Sequence, residues 1–233
     1  MKSQLYPLTI VMLCCCTFIT ETKAQKTDSI YQMKPLHATR KQLYAPSMLI
    51  FFGLGANGNG KEDIKNEFVE ERNEVIPSFK TCIDNYLQFS PIALTYGFEV
   101  LGIKPKTDVL NRSVILLTSE LMMMASVTLL KNVSHTLRPD SSNYVSFPSG
   151  HTAQAFAAAT LLSEEYGRRY QWVPYLSYGL ASSVGLLRMA NNKHYLSDVL
   201  VGAGIGILST KMAYWAHQYK WGHKNTSSHS TLL

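Results

Sequence analysis

The chain has 233 residues, a formal net charge of +6 and a mean hydropathy of −0.03. This length fits one domain that can bury a core, and no internal repeat divides it. Lys and Arg are scattered along the chain and no nucleic-acid-binding motif is present, so nucleic acid is excluded as a predicted partner. The positive charge favours anionic ligands or an anionic membrane surface.

The first 25 residues, MKSQLYPLTIVMLCCCTFITETKAQ, have the three parts of a secretory signal peptide. A lysine near the start is followed by an apolar run over about 8–19 and a polar stretch that ends in TKA. We predict a signal peptide over 1–24, cleaved after Ala24, and a single domain over 25–233. An uncleaved anchor is the alternative. After cleavage Cys82 remains as a lone thiol, which excludes an internal disulfide.

The rest of the chain predicts helices. The charged segment 61–80 has loosely helical apolar spacing and is predicted as an amphipathic surface helix. Five longer runs rich in Ala, Leu and Met follow at 86–103, 113–130, 152–162, 173–187 and 196–216. They are too long for typical strands, so the sequence predicts an all-α fold, a helical bundle of about six core helices.

Membrane insertion is predicted for part of this bundle. A spanning helix needs roughly 20 mostly apolar residues, and these runs are shorter or carry a charge such as Glu120 or Asp198. Gly202 and Gly206 form a GxxxG spacing, which allows helices to approach closely in bilayers. Close packing in a soluble core is the alternative. The segment 217–233 reads as a polar tail, and its histidines recur every six residues, so they share no helical face and predict no metal site.

Three clusters at the ends of the predicted helices combine cationic side chains with histidines. Lys131 and Arg138 lie in KNVSHTLRP, Ser149, Gly150 and His151 lie in SFPSGH, and Arg188, His194 and Asp198 lie in RMANNKHYLSD. Lysine and arginine near a helix C-terminus are also ordinary partners of the helix dipole, and SFPSGH is also an ordinary helix start. Each cluster alone therefore has an ordinary structural explanation, and only the three together indicate a functional site.

The third cluster predicts an oriented histidine. If the last helix starts at about His194, Asp198 lies four residues on and on the same face. The Asp198 carboxylate could then accept a hydrogen bond from one imidazole nitrogen and leave the other free to attack as a nucleophile. A purely structural His–Asp pair is the alternative reading of this spacing.

The cationic groups predict what such a nucleophile would attack. Guanidinium forks such as those of Arg138 and Arg188 match phosphate oxygens, and the backbone amides around Ser149 and Gly150 would complete an anion site at a helix N-terminus. Phosphoryl transfer requires this kind of charge stabilisation. His151 could stand opposite His194 and protonate the departing oxygen.

Together the motifs KxxxxxxRP, PSGH and RxxxxxHxxxD, in this order over residues 131–198, resemble the three-part signature of the type 2 phosphatidic acid phosphatase (PAP2) superfamily. The resemblance implies a PAP2-like α-bundle in which His194 is a nucleophile that forms a phosphohistidine and Asp198 orients it. His151 would be the general acid and then the base, and no metal or other cofactor would be needed. The phosphoryl oxygens would be bound by Lys131, Arg138, Ser149, Gly150 and Arg188.

One position departs from the family pattern. The third motif usually has serine before its arginine, and this chain has Leu187 there, which puts fine substrate preference in doubt. His135 lies inside the first motif, matches no family position and is interpreted as a loop residue.

The leading hypothesis is a phosphatase acting on a lipid phosphate monoester or pyrophosphate of the phosphatidic acid, polyprenyl pyrophosphate or lipid A type. It would reside in a bacterial inner membrane with its active site facing the periplasm. The alternatives are a soluble periplasmic phosphatase of broad specificity, a vanadium-dependent haloperoxidase and a noncatalytic envelope protein that binds phosphorylated lipid. No protein partner is identifiable.

Overall fold

A computed structural model describes residues 40–58 and 64–217. The predicted signal peptide over 1–24 and the tail beyond residue 217 lie outside these ranges. Within them all regular elements are helices, as the sequence predicted. In chain order they are α1 (Arg40–Gly55), α2 (Ile64–Val75), α3 (Asp84–Leu87), α4 (Ser90–Val100), α5 (Val109–Ser134), α6 (Gly150–Tyr166), α7 (Trp172–Ala190) and α8 (Leu196–Ala216).

The five long runs all form helices, with one interruption. The run predicted over 86–103 is divided between the single turn α3 and the longer α4. Pro91 lies in the first turn of α4, where the N–H that proline lacks would have no helical acceptor. Within a continuous helix the same proline would remove a hydrogen bond, so the chain starts a new helix there. The amphipathic helix predicted within 61–80 is α2.

Helix α6 is the centre of the bundle. It packs against α4, α5, α7 and α8, and α8 in turn packs against α1 and α5. Most of its side chains are short, and its alanines are almost completely buried: Ala153, Ala155, Ala157, Ala158 and Ala159. Short side chains let several helices approach one axis closely, because interaxial distances depend on the side chains at the contact.

Glycines of α8 set its distance from α6. A Cβ atom on Gly202 would lie 2.5 Å from the carbonyl oxygen of Ser149, and one on Gly206 would lie 2.8 Å from the backbone nitrogen of Ala157. The GxxxG spacing therefore serves helix–helix contact between α6 and α8. The backbones are so close that no side chain fits between them at these two positions.

Two of the described helices, α5 and α8, are long and apolar enough to cross a membrane. Most of α8 is buried inside the bundle, as in the core helix of any helical protein, whereas most of α5 is not. On α5, Leu117, Leu121 and Met124 follow one another at helical spacing, and each is about 60% exposed (60, 59 and 59%). This apolar face is suited to contact with lipid.

We expect Gly206→Ala to destabilise the protein, because the new methyl group would collide with the backbone of α6. Overpacking of this kind typically costs about 1–3 kcal/mol, which should lower the midpoint of thermal unfolding clearly. Gly179→Ala in α8's neighbour α7 is the matched control, since a Cβ there meets nothing within 4 Å and alanine favours helix. Equal behaviour of the two variants would contradict the close-packing account.

Candidate active site

The structure brings the three sequence clusters together at one end of the bundle. The backbone N–H of Ser149 at the start of α6 donates a hydrogen bond to the carbonyl oxygen of Asp198 at the start of α8 (3.0 Å). Lys131 lies in the last turn of α5 and Arg188 in the last turn of α7, inside these helices rather than beyond them. The ends of four helices therefore converge on one cluster of ionisable groups.

His194 and Asp198 contact each other, although not as two residues of one helix. Helix α8 starts at Leu196 with Tyr195 as its N-cap, as the run over 196–216 predicted, so His194 lies two residues before the helix. The Asp198 carboxylate turns back over the helix start, where its Oδ2 accepts from the Tyr195 N–H (3.0 Å) and lies 3.4 Å from His194 Nδ1. A capping carboxylate at the third helical position is a common helix start, and here it also faces the imidazole.

Ser146 provides a further hydrogen bond to the same carboxylate. Its hydroxyl donates to Asp198 Oδ2 at 2.5 Å, and Ser146, His194 and Asp198 are all buried. Because Oδ2 receives donors from three directions, the carboxylate is held in one orientation. It can therefore fix which nitrogen of His194 carries the hydrogen: Nδ1, the atom that faces it.

Burial keeps His194 neutral. It lowers the pKa of His194 to about 4, and the opposing attraction of Asp198 does not restore it, partly because Arg188 and Lys131 repel the imidazolium. A neutral imidazole whose Nδ1 donates to Asp198 has its lone pair on Nε2. The arrangement therefore presents a nucleophilic nitrogen at neutral pH.

His151 is the second residue of α6, and its ring is less buried than that of His194. Its Nε2 lies 2.9 Å from Oδ1 of Asn85 on the α3 turn. Burial and the charges of Arg188, Arg138 and Lys131 lower the pKa of His151 to about 4, against the attraction of Asp84. Arg188 and Lys131 disfavour the imidazolium of both His151 and His194, so the two histidines lie near the same two cations.

The arginines present buried donors that no described residue accepts. Arg188 donates from one Nη to the buried Asp84 (2.7 Å), while its Nε and that of Arg138 have no hydrogen-bond partner among the described residues. Burial and the charge of Arg188 lower the pKa of Arg138. Buried donors normally have acceptors, and two guanidinium groups close enough to repel each other are suited to an anion with several oxygens.

Ser149 is placed differently from the expectation that it binds an anion. Its N–H is used by Asp198, and its hydroxyl caps α6 by accepting from the Thr152 N–H (3.4 Å). Within the described part of the chain, the amides of α6 that have no acceptor are those of Gly150 and His151. A helix N-terminus with two open amides is still an anion-binding element, but Ser149 stabilises it from within.

Sequence reasoning missed three residues that contact the predicted ones. Asp84 is 1% exposed and pairs with Arg188, and Asn85 contacts His151. Both lie in TCIDNYLQF, where a single acid within an apolar stretch gives no pattern to read. Ser146 is the first residue of the SFPSGH stretch. A polar residue so close to the PSGH motif could have been predicted to contact the site. His135, interpreted as a loop residue, is the exposed C-cap of α5 in a left-handed conformation (φ 43°).

The sequence also matches known proteins. The PAP2 superfamily matches residues 112–222. A lipid A 1-phosphatase of Porphyromonas gingivalis (strain ATCC 33277) is 35% identical over 193 residues, which cover 80% of this chain and 40% of that protein. The chain thus spans about 40% of the length of this curated relative.

Two solved structures resemble the protein at lower identity. One is Aquifex aeolicus LpxE, with 21% identity and a TM-score of 0.47, covering 62% of this chain and 93% of that chain. The other is a transmembrane PAP2-type phosphatidylglycerolphosphate phosphatase from Bacillus subtilis, with 19% identity and a TM-score of 0.46, covering 73% of this chain and 94% of that chain. The family match over residues 112–222, the segment that holds all three motifs, identifies this part of the chain as a PAP2-superfamily segment.

Proposed function

We propose that the protein is a phosphatase that hydrolyses the phosphate ester or pyrophosphate of a lipid through a phosphohistidine at His194. The observation that carries the proposal is the pair of arginines, Arg138 and Arg188, whose buried Nε donors have no acceptor among the described residues, together with a neutral histidine held by a fixed carboxylate. The family match and the phosphatase relative support the same chemistry.

The phosphoryl group would be held by three cationic side chains and by two backbone amides at the start of α6. Arg138 and Arg188 would each offer guanidinium N–H groups, Lys131 a point charge, and Gly150 and His151 their open backbone amides. Together these donors would neutralise the charge on the equatorial oxygens in the transition state. Ser149 would contribute indirectly, as the residue that fixes the start of α6.

In the first step His194 Nε2 would attack phosphorus. The P–N bond forms as the bond from phosphorus to the leaving oxygen breaks, and His151 as imidazolium gives its proton to that oxygen. In the second step the now neutral His151 removes a proton from water as the water oxygen attacks phosphorus. The P–N bond breaks, its electron pair returns to Nε2, and inorganic phosphate leaves. Asp198 holds Nδ1–H of His194 throughout.

A lipid phosphate is the substrate class that fits the helices around the site. Helix α5 carries Lys131 at its end and an exposed apolar face along its length, so a lipid held against that face would present its headgroup near the cations. Because the Porphyromonas relative is a lipid A 1-phosphatase, a lipid A phosphate is the first candidate. We place the protein in a bacterial inner membrane with the site facing the periplasm.

Replacing the nucleophile tests the mechanism directly. We expect His194→Ala to abolish phosphate release, because no other group in the site can form the covalent intermediate. The matched control is His135→Asn, which changes an exposed histidine to a residue that tolerates the left-handed backbone and should retain activity. Malachite-green detection of phosphate and the midpoint of thermal unfolding of both variants separate lost chemistry from lost folding. Undiminished turnover by His194→Ala would overturn the proposal.

The proton donor should respond to a bound phosphate. The pKa of His151 is low because burial and three cations disfavour the imidazolium. A phosphate dianion among those cations favours it, so the pKa should rise by roughly one unit or more. Ring ¹⁵N shifts of His151, titrated with pH with and without inorganic phosphate, measure this change. His217, at the opposite end of α8, is the internal control and should not shift. An unchanged His151 midpoint at saturating phosphate would contradict the role.

Substrate class is tested by rates on purified protein in detergent. We expect kcat/KM for lipid A to exceed that for phosphatidic acid, undecaprenyl pyrophosphate and p-nitrophenyl phosphate. Equal or faster hydrolysis of the soluble aryl phosphate would contradict the proposed specificity for lipids but not the proposed phosphatase chemistry.

A further inference from the structure

The α3 turn brings two neighbouring polar residues to the site from outside the three motifs. Asp84 pairs with Arg188, and Asn85 contacts the ring of His151. We propose that Asn85 is a positioning residue for His151: it holds Nε2 of the ring and thereby assigns proton transfer to Nδ1. The inference rests on the proposed acid–base role of His151.

The contact fixes the hydrogen on one ring nitrogen. An amide oxygen only accepts hydrogen bonds, so at 2.9 Å from Asn85 Oδ1, His151 Nε2 is the donor. In the neutral ring the lone pair is then on Nδ1. In the imidazolium both nitrogens carry hydrogen, and the bond to Asn85 remains. The same hydrogen bond is therefore present whether His151 is neutral or protonated. His151 can give a proton in the first step and take one in the second, and in both steps the proton is exchanged at Nδ1.

Asn85 itself is held in place. Its backbone carbonyl accepts from the side-chain amide of the buried Gln88 (2.9 Å). The preceding residue, Asp84, receives Arg188 at 2.7 Å and the side-chain amide of Asn191 at 3.2 Å. The turn is thus tied to the end of α7, so Asn85 can fix the position of His151 rather than follow it.

A neutral amide also suits the charges around His151. Arg188, Arg138 and Lys131 repel the imidazolium, and Asp84 attracts it. Asn85 adds no charge to this set, so the protonation of His151 remains governed by the phosphate that the cations bind. A carboxylate at position 85 would instead favour the imidazolium even without substrate. Asn85→Ala and Asn85→Asp therefore predict different outcomes.

The experiment compares two substrates on the full chain in detergent. A phosphate with a poor leaving group, such as an alkyl phosphate, needs a proton donor, whereas p-nitrophenyl phosphate needs it much less. We expect Asn85→Ala to lower kcat/KM for the alkyl phosphate by about tenfold or more and to change the aryl phosphate rate by less than about threefold. His151→Ala should give the same selectivity with a larger loss. Asn73→Ala, an exposed asparagine that accepts from Asn192, is the matched control and should change neither rate.

The pH profile provides the second readout. Because Asn85→Asp stabilises the imidazolium, the limb on which activity falls with rising pH should move to higher pH for the alkyl phosphate. Equal losses on both substrates, or an unshifted profile for Asn85→Asp, would overturn the inference. If the wild type releases no phosphate, or if His151→Ala shows no leaving-group dependence, the proposed function itself fails. If both behave as expected and Asn85→Ala does not, only the role of Asn85 fails.

Discussion

The contact between the starts of α6 and α8 is the constraint on which the rest of the site depends. Ser149 donates its backbone N–H to the carbonyl of Asp198, and Gly202 leaves no side chain between the two helices at this point. His151 follows the first of these residues by two positions and His194 precedes the second by four. Two backbones in direct contact therefore set the distance between the proposed acid and the proposed nucleophile, which side-chain packing alone would define less precisely.

Charge is concentrated at this end of the bundle at a cost. Lys131, Arg138 and Arg188 repel one another, and this repulsion is only partly offset by Asp198 and by the Asp84 that pairs with Arg188. Lys193 pairs with Asp140 at 2.5 Å on the adjoining loops, which secures the segment that leads to His194. A bound anion would supply the missing negative charge, and sites whose electrostatics are arranged before the ligand arrives are well suited to stabilising a transition state.

Much of the fold and the order of the three clusters follows from local patterns. Helical spacing predicted the long helices, and the cationic and histidine motifs marked the residues that meet at their ends. The sequence did not reveal that Asp198 caps the start of α8 while it faces His194, because a capping carboxylate and an i,i+4 pair have the same spacing. Nor could it reveal Asp84 or Asn85, since a residue that contacts its partner more than 60 positions away leaves no periodic signal. The sequence also could not reveal that the Ser149 N–H donates to the carbonyl oxygen of Asp198, because this hydrogen bond depends on how closely α6 and α8 approach.

The alanines of α6 have a consequence for how such a site can vary among related proteins. Their methyl groups act as spacers of minimal thickness, and with Gly202 and Gly206 they let α8 stand at nearly the smallest separation that two backbones allow. A larger residue in place of one of the alanines that face α8 would displace that helix and with it His194, which directly precedes it. The register of the reacting groups is thus encoded over the whole length of one helix. Diversification in substrate choice would then be confined to the outer helices, whose exposed faces can change without altering that register.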